Sequence, residues 1–429
     1  MKLLTKTISP SSDKVFWAVL FILFINQFHR LVFLRPLWGF FPEHFLIESL
    51  FYLIIPIIYC GLRGINIFSR ELLFPKVLRL YFVLIIVNII TCYFYRGQSP
   101  LVSVYGWGTF FLILYYPIFK SFNYNSRSWE TTLLWLYCFY LICYFVQYFL
   151  RLSGIEIFVL DTSLETLEKS STVRLFADGI LSLGLFYCLN KWLTKHSKKC
   201  KYLFFVGLIA ELLLTSRIRW AVLPIACVYF LHKIYGFSAK TLAIIILSLG
   251  LFAALLQTDI AQERLEYVKE KAEIQSFDND SYVRVLLIDY FQEEHFKSAT
   301  EHFLGSGMPK INAGTASHAL SDYSRYMSSL FLERDFYCFD MGYLGLTWLG
   351  GIPFTLILII LQFCIFRKKV PKDYLYIGVW ELYLLISGWF NEEVFGFTNM
   401  ICQVLALTIL STVIKENSVI NKQKQVTVV

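Results

Sequence analysis

Charge is what this chain has least of. Only 16% of its 429 residues are charged and 57% are hydrophobic, against the ~25% charge of soluble domains, and the mean hydropathy is +0.58. So little charge cannot cover a water-facing surface, which excludes an ordinary soluble domain and leaves lipid as the main solvent. The apolar runs also lack the residue-by-residue alternation of a membrane β-barrel. Backbone groups in lipid find no water to bond, so runs of this length have to be helices.

Other absences narrow the class further. The formal charge is +8, yet no basic stripe with interleaved aromatics lies outside the apolar runs, which excludes nucleic acid as a partner. The ten cysteines fall mostly in apolar stretches, with neither C-x-x-C pairs nor histidines at ligand spacing, and read as small core residues. There is no H-E-x-x-H and no glycine-rich phosphate loop, and the carboxylates of the longest polar stretch are dispersed. Neither a metal nor any other cofactor is expected. No internal repeat or low-complexity tract is visible. No small-residue cleavage site follows the apolar run that begins at Val15, so this run is expected to stay as a first span.

What is present is a series of apolar windows near spanning length. Twelve are predicted: 15–34, 45–62, 77–95, 103–122, 131–152, 173–193, 202–216, 218–236, 240–257, 340–366, 374–390 and 396–414. The expected fold is an all-α polytopic membrane protein with a large outer loop between the ninth and tenth helices. Residues 1–257 then hold nine spans and a short outer loop at 152–172, residues 258–339 the large loop, residues 340–414 three more spans, and residues 415–429 a tail. The seventh and eighth windows are short and separated only by a polar cluster, so one broken helix is the alternative. The distribution of Lys and Arg decides for two. With both termini cytoplasmic, Lys2, Lys6 and Lys14, the stretch Arg63 to Arg79, the run Lys195 to Lys201, Arg367-Lys368-Lys369 and Lys415 to Lys424 all fall on the cytoplasmic side. Merging the two windows would put Arg367-Lys368-Lys369 outside. Within the large loop, Val283, Leu286, Leu287, Tyr290, Phe291 and Phe303 recur near helical spacing. Ser281 to Phe303 therefore reads as one amphipathic helix, ended by Gly305-Ser306-Gly307, lying on the membrane interface or packed on the rest of the loop.

Candidate chemistry gathers at the outer ends of these helices. Leu214-Thr215-Ser216-Arg217-Ile218-Arg219-Trp220 brings two arginines to the end of an apolar helix. Their guanidinium forks suit a diphosphate, and snorkelling to lipid headgroups is the alternative. Arg174 begins the sixth helix on the same side and either joins them or pairs with Asp178 one turn on. In the large loop Arg284, His295, His302, His318, Arg325 and Arg334 are candidate acid, base or anion-binding groups, with His318 the group best suited to titrate near neutral pH or a solvated loop histidine. Asp340 opens the tenth helix as a reactive carboxylate or a cap. Glu392 and Glu393 form a further outer pair, and Glu211, within the seventh helix, needs a partner at lipid depth.

Three of these pieces, in this order and on one side, resemble the O-antigen polymerase and ligase superfamily. They are Arg-Leu-Phe-Ala-Asp-Gly at 174–179, Leu-Leu-Leu-Thr-Ser-Arg-Ile-Arg-Trp at 212–220, and a loop running from Arg284 through Gly305-Ser306-Gly307 to Asp340-Met341-Gly342-Tyr343-Leu344-Gly345. The likeness covers about 130–366. The closing motif is nearer the oligosaccharide repeat-unit polymerases (Wzy type) than the ligases, whose loop usually closes with a His-Asn or His-Ser pair where this chain has His318-Ala319. The resemblance implies a GT-C-like, inverting, metal-independent glycosyltransferase. Such an enzyme joins undecaprenyl-diphosphate-linked oligosaccharides into O-antigen or capsular polysaccharide at the outer face of the bacterial inner membrane, alongside a flippase and a chain-length regulator. It implies that Arg174, Arg217 and Arg219 hold the donor diphosphate with help from Arg284, and that Asp340 or His318 orients or deprotonates the acceptor hydroxyl. An O-antigen ligase is the nearest alternative, and a polysaccharide flippase or transporter the alternative of another class.

Overall fold

Most of the apolar windows form helices, and the helices end where backbone chemistry or a tertiary anchor stops them. The computed structural model describes residues 18–19, 22–23, 50–158, 178–214, 217–236, 283–309, 322–334, 338–391 and 394–427. Among these the regular elements are all helical: α1 Ile55–Arg63, α2 Pro75–Arg96, α3 Pro100–Gly106, α4 Tyr115–Ser121, α5 Ser126–Leu152, α6 Asp178–Lys195, α7 Lys198–Leu213, α8 Arg217–Tyr235, α9 Val283–Asp289, α10 Ala299–Leu304, α11 Asp322–Arg334, α12 Tyr343–Gly350, α13 Ile352–Phe366, α14 Leu375–Ser387 and α15 Phe397–Thr427. Among the described residues, four stretches are long and apolar enough to cross a membrane, namely Pro75–Arg96, Ser126–Leu152, Ile218–Tyr235 and Thr398–Ile420. The bent pair Pro100–Gly106 and Gly108–Ser121 passes the same test taken together. The protein is of the helical, membrane-embedded type. The windows at 15–34 and 240–257 fall almost wholly outside the described residues.

Two windows are not straight helices. The chain turns by 74° at Trp107, where the indole Nε1 donates to Asn88 Oδ1 at 3.1 Å and the ring meets Phe354 edge-on with centroids 4.5 Å apart. A 3-10 segment, Gly108–Leu114, carries the bend, as tight turns do where tertiary anchoring overrides α geometry. Window 340–366 breaks at Gly351, whose φ of 89° cannot continue a right-handed helix. Pro353 sits in the first turn of α13, where its missing N–H costs nothing. By contrast the last helix runs on past Lys415 to Thr427 without a break.

The seventh and eighth windows are two helices, α7 and α8, with different neighbours. α7 packs on α6 and α5, whereas α8 packs on α14. At the centre of the α5–α6–α7 group, Tyr137 of α5 lies against Gly184 of α6 and Gly207 of α7, and a Cβ on either glycine would overlap its side chain. Its hydroxyl donates to Leu203 O at 3.1 Å. This is the close approach that small residues permit between helices in lipid, where packing replaces the hydrophobic drive.

Helix directions fix two ends of the bundle. Leu73 N donates to Tyr116 Oη at 2.9 Å, so α2 starts beside α4 and the start of α5. There Ser126 Oγ donates to Glu416 Oε2 at 2.6 Å, and Lys191 Nζ lies 2.6 Å from Glu130 Oε1 with Tyr374 beneath it at 4.7 Å. A 22-residue helix is about 33 Å long, so Arg96 stands at the opposite end. α7 and α14 also run away from the Glu130–Lys191 pair, which directs Arg219 and Gly388 towards the Arg96 end.

Replacing Gly184 by Ala is expected to lower stability by ~1–3 kcal/mol through overpacking against Tyr137. Gly61→Ala, in the last turn of α1 and with nothing within 4 Å of the place a Cβ would take, is expected to hold or raise stability by up to ~1 kcal/mol. Thermal unfolding of the purified variants in one detergent checks both.

Candidate functional site

The first described span, α2, is apolar except for a few side chains, and its last residue is an arginine. The Arg96 guanidinium pairs with the Glu301 carboxylate; both side chains are buried. It also donates to the carbonyl of His295 and lies over the Tyr323 ring, 5.3 Å from its centroid. The second Glu301 oxygen accepts from Lys297 N at 2.7 Å, and Ser298 Oγ accepts from Glu301 N at 3.1 Å. Ser298-Ala299-Thr300-Glu301 is thus a capping arrangement that starts a new helix. For that reason Ser281 to Phe303 is not one amphipathic helix: α9 passes into a π-turn over Tyr290–His295, the backbone extends at Phe296, and α10 begins after Ser298.

Polar side chains next to Arg96 tie the same segment down. Gln98 Nε2 donates to Ser103 Oγ at 2.9 Å and to Met308 O at 3.1 Å, and its Oε1 accepts from Ser324 Oγ at 2.8 Å. Asn88 Nδ2 donates to Leu304 O and Leu349 O, each at 2.9 Å. Ser306 N and Gly307 N donate to Trp348 O and Leu349 O, each at 2.9 Å. Gly305, at φ 85°, touches Gly351 backbone to backbone, leaving no room for a Cβ on either. The Gly305-Ser306-Gly307 turn is therefore the seam joining α10 to the α12–α13 junction.

His295 is the titratable group at the centre of this junction. It is 2% exposed, Tyr290 Oη lies 3.1 Å from its Nδ1, and Tyr290 in turn bonds Tyr326 Oη at 2.7 Å. Its Nε2 has no hydrogen-bond partner among the described residues. Burial, then the charges of Arg96 and Lys297, push its pKa down to about 2. The imidazole is neutral at any working pH, so it orders the junction through hydrogen bonding and packing instead of exchanging protons with solvent.

The sequence-predicted site residues are distributed as follows. Arg174 and His318 lie outside the described residues, as do Glu392 and Glu393. Arg217 opens α8, and its side chain is not described. Arg219 is buried, with Nη1 3.3 Å from Glu211 Oε2. Glu211 thus has the partner its depth demands, and Arg219 is not snorkelling. Arg284, half-buried, is the second residue of α9. Asp340 stands exposed on the 3-10 turn Cys338–Met341, and the residue preceding α12 at its N-cap is Gly342. His302 lies against Phe296 with ring centroids 4.8 Å apart, and Arg325 pairs with Asp322 at the surface.

Arg219, Asp340 and the segment around Arg96 therefore lie on the same side of the Glu130–Lys191 pair. Sequence reading passed over Arg96 and Glu301, although an arginine closing an apolar span before a glycine, and a Ser-x-x-Glu spacing, were both there to see. It also passed over Glu381, which lies inside the apolar window 374–390. No group of three His, Cys, Asp or Glu able to hold a metal occurs among the described residues. Asp278-Asn279-Asp280 does have a D-x-D spacing, which the reading of dispersed carboxylates overlooked, and it lies outside them.

Arg96→Ala would strand the Glu301 carboxylate in a buried site, at a cost of ~3–5 kcal/mol; the pair Arg96→Met with Glu301→Met should recover most of it. Hydrogen exchange of the amides over 290–309 should rise in the single variant and return in the double. His295 also predicts a pH slope. An unfolded imidazole titrates near ~6.5 while the native one resists protonation, so stability is constant above that pH. Below it, stability falls by up to ~1.4 kcal/mol per pH unit. His295→Phe should flatten this acid-side loss, read as the difference in melting temperature between pH 7.5 and pH 5. Comparison of the chain with protein-family models, with curated proteins and with solved structures finds no match.

Proposed function

We propose that this protein polymerises undecaprenyl-diphosphate-linked repeat units into a surface polysaccharide at the outer face of the bacterial inner membrane. The observation that carries the reading is that the buried Arg219, the exposed Asp340 and the segment 290–334 docked on Arg96 all lie towards one end of the bundle, away from the Glu130–Lys191 pair. That end lies opposite the one reached by the basic run Lys195 to Lys201, which the distribution of positive charge assigns to the cytoplasm. An outer site has no nucleotide sugars to draw on, so its donor must arrive already activated, and a lipid diphosphate is such a donor. Arginines near the helix end would stabilise the charge developing on the leaving diphosphate, with Arg217 foremost and Arg219, held by Glu211, behind it. Asp340 would take the acceptor hydroxyl's proton. Ligation of finished chains to a lipid core is the neighbouring reaction, and a lipopolysaccharide gel separates the two.

Transport is supported by a different observation. Glu381 of α14 is 0% exposed, and neither of its carboxyl oxygens has a hydrogen-bond partner among the described residues. An ionisable group inside an apolar helix is a common mark of a pathway for ions or substrate. Against this, the described cations gather at the two ends of the bundle.

A deletion strain complemented with wild type or Arg217→Ala separates polymerisation from ligation and tests the arginine clamp. The deletion and a stably expressed Arg217→Ala should both leave single-repeat glycolipid. An unchanged ladder in the variant would remove the arginine clamp, and free long polymer in the deletion would indicate ligation.

A further inference from the structure

Two turns meet on the Arg96 side of the Glu130–Lys191 pair, and each presents exposed side chains. The turn Cys338–Met341 carries Asp340, which is exposed. The turn after α14 carries Trp389 and Phe390, 61% and 52% exposed. Backbone contacts lock the turns together. Tyr343 N donates to Gly388 O at 2.7 Å, and Gly342, at φ 57°, has Gly388 O and the Asn391 backbone where a Cβ would be. The Tyr343 ring meets Trp389 edge-on at 5.3 Å between centroids, and Phe339 packs on Phe395 at the same 5.3 Å. A carboxylate and two aromatic faces are thereby held on adjoining, rigidly joined turns.

Exposed aromatic residues at helix ends commonly anchor a protein to lipid headgroups, and that role alone would account for Trp389 and Phe390. The adjoining turn, however, also presents an exposed carboxylate, which would repel anionic headgroups. A sugar ring uses both features: its C–H face stacks on an aromatic face, and its hydroxyls donate to a carboxylate. Resting on the polymerase reading above, we propose that Trp389 and Phe390 form the platform on which the acceptor sugar of the lipid-linked repeat unit stacks, with Asp340 receiving one of its hydroxyls. The ligand class is a pyranose presented at the membrane surface.

The test is polymerisation by the purified full-length protein, with repeat-unit glycolipid extracted from the host strain as substrate. Trp389→Leu keeps apolar bulk for lipid contact and removes the stacking face; Trp389→Phe keeps a stacking face. The acceptor KM should rise on the order of three- to tenfold in Trp389→Leu with kcat close to wild type, and return towards wild type in Trp389→Phe. Phe390→Leu should act in the same direction, and equal melting temperatures exclude a folding defect. An unchanged KM in both leucine variants of an active enzyme overturns the platform alone, as does a Trp389→Phe enzyme no better than Trp389→Leu. A wild-type protein that elongates nothing overturns the polymerase reading and the platform with it.

Discussion

The buried pair between Arg96 and Glu301 is the contact on which the rest of the site depends. Two charges removed from water are costly to bury, and they are tolerated only when every remaining donor and acceptor finds a partner. Here the guanidinium also takes the His295 carbonyl and the Tyr323 face, and the carboxylate takes the Lys297 amide. Glu301 comes from a segment 205 residues further along the chain than Arg96. A single arginine at the end of α2 therefore fixes where the late polar segment sits. Gln98 and Asn88 extend that hold to Met308, Leu304 and Leu349, so α10 and the Gly305-Ser306-Gly307 turn are joined to the bundle along several hydrogen bonds instead of at one point.

The two ends of the bundle handle charge differently. At the far end Glu130 and Lys191 face each other under Tyr374, Tyr187 and Tyr376, and Lys191 also donates to the Asp373 carbonyl at 3.0 Å. That arrangement closes α5, α6 and α14 on one another and leaves the amine no free direction. On the Arg96 side of that pair the turns bearing Asp340 and Trp389 are packed on each other through backbone yet keep their side chains exposed. A rigid support carrying exposed polar and aromatic groups is what a surface-bound substrate requires, because little ordering remains to be done on binding.

Element type was legible from composition and hydropathy, since an apolar run in lipid has one regular solution. Windows 202–216 and 218–236 do form two helices, α7 and α8, and these pack on different neighbours. The breaks were less legible. The bend at Trp107 depends on Asn88 and Phe354, contacts no local window contains, whereas Gly350-Gly351 and Ser298-x-x-Glu301 were local signals outweighed by the apolar periodicity around them. The site was the least legible part. Arg96 looks in sequence like any basic residue at a helix end, and only its distant partner distinguishes it; Glu381 was submerged in the hydropathy of its helix. Of the residues singled out in advance, Arg219 and Asp340 fall on the side of the Glu130–Lys191 pair where the docked segment lies. Arg219 is engaged by Glu211, a pairing that eight residues of separation across a helix break did not announce.

The most direct test of the polymerase reading is a reconstitution. Purified protein in vesicles would be given repeat-unit glycolipid as its sole substrate, with the products resolved by chain length. The expected product is a ladder of extended lipid-linked chains made without nucleotide or any second protein. Glycolipid that remains a single repeat, whether or not it crosses the bilayer, would contradict it.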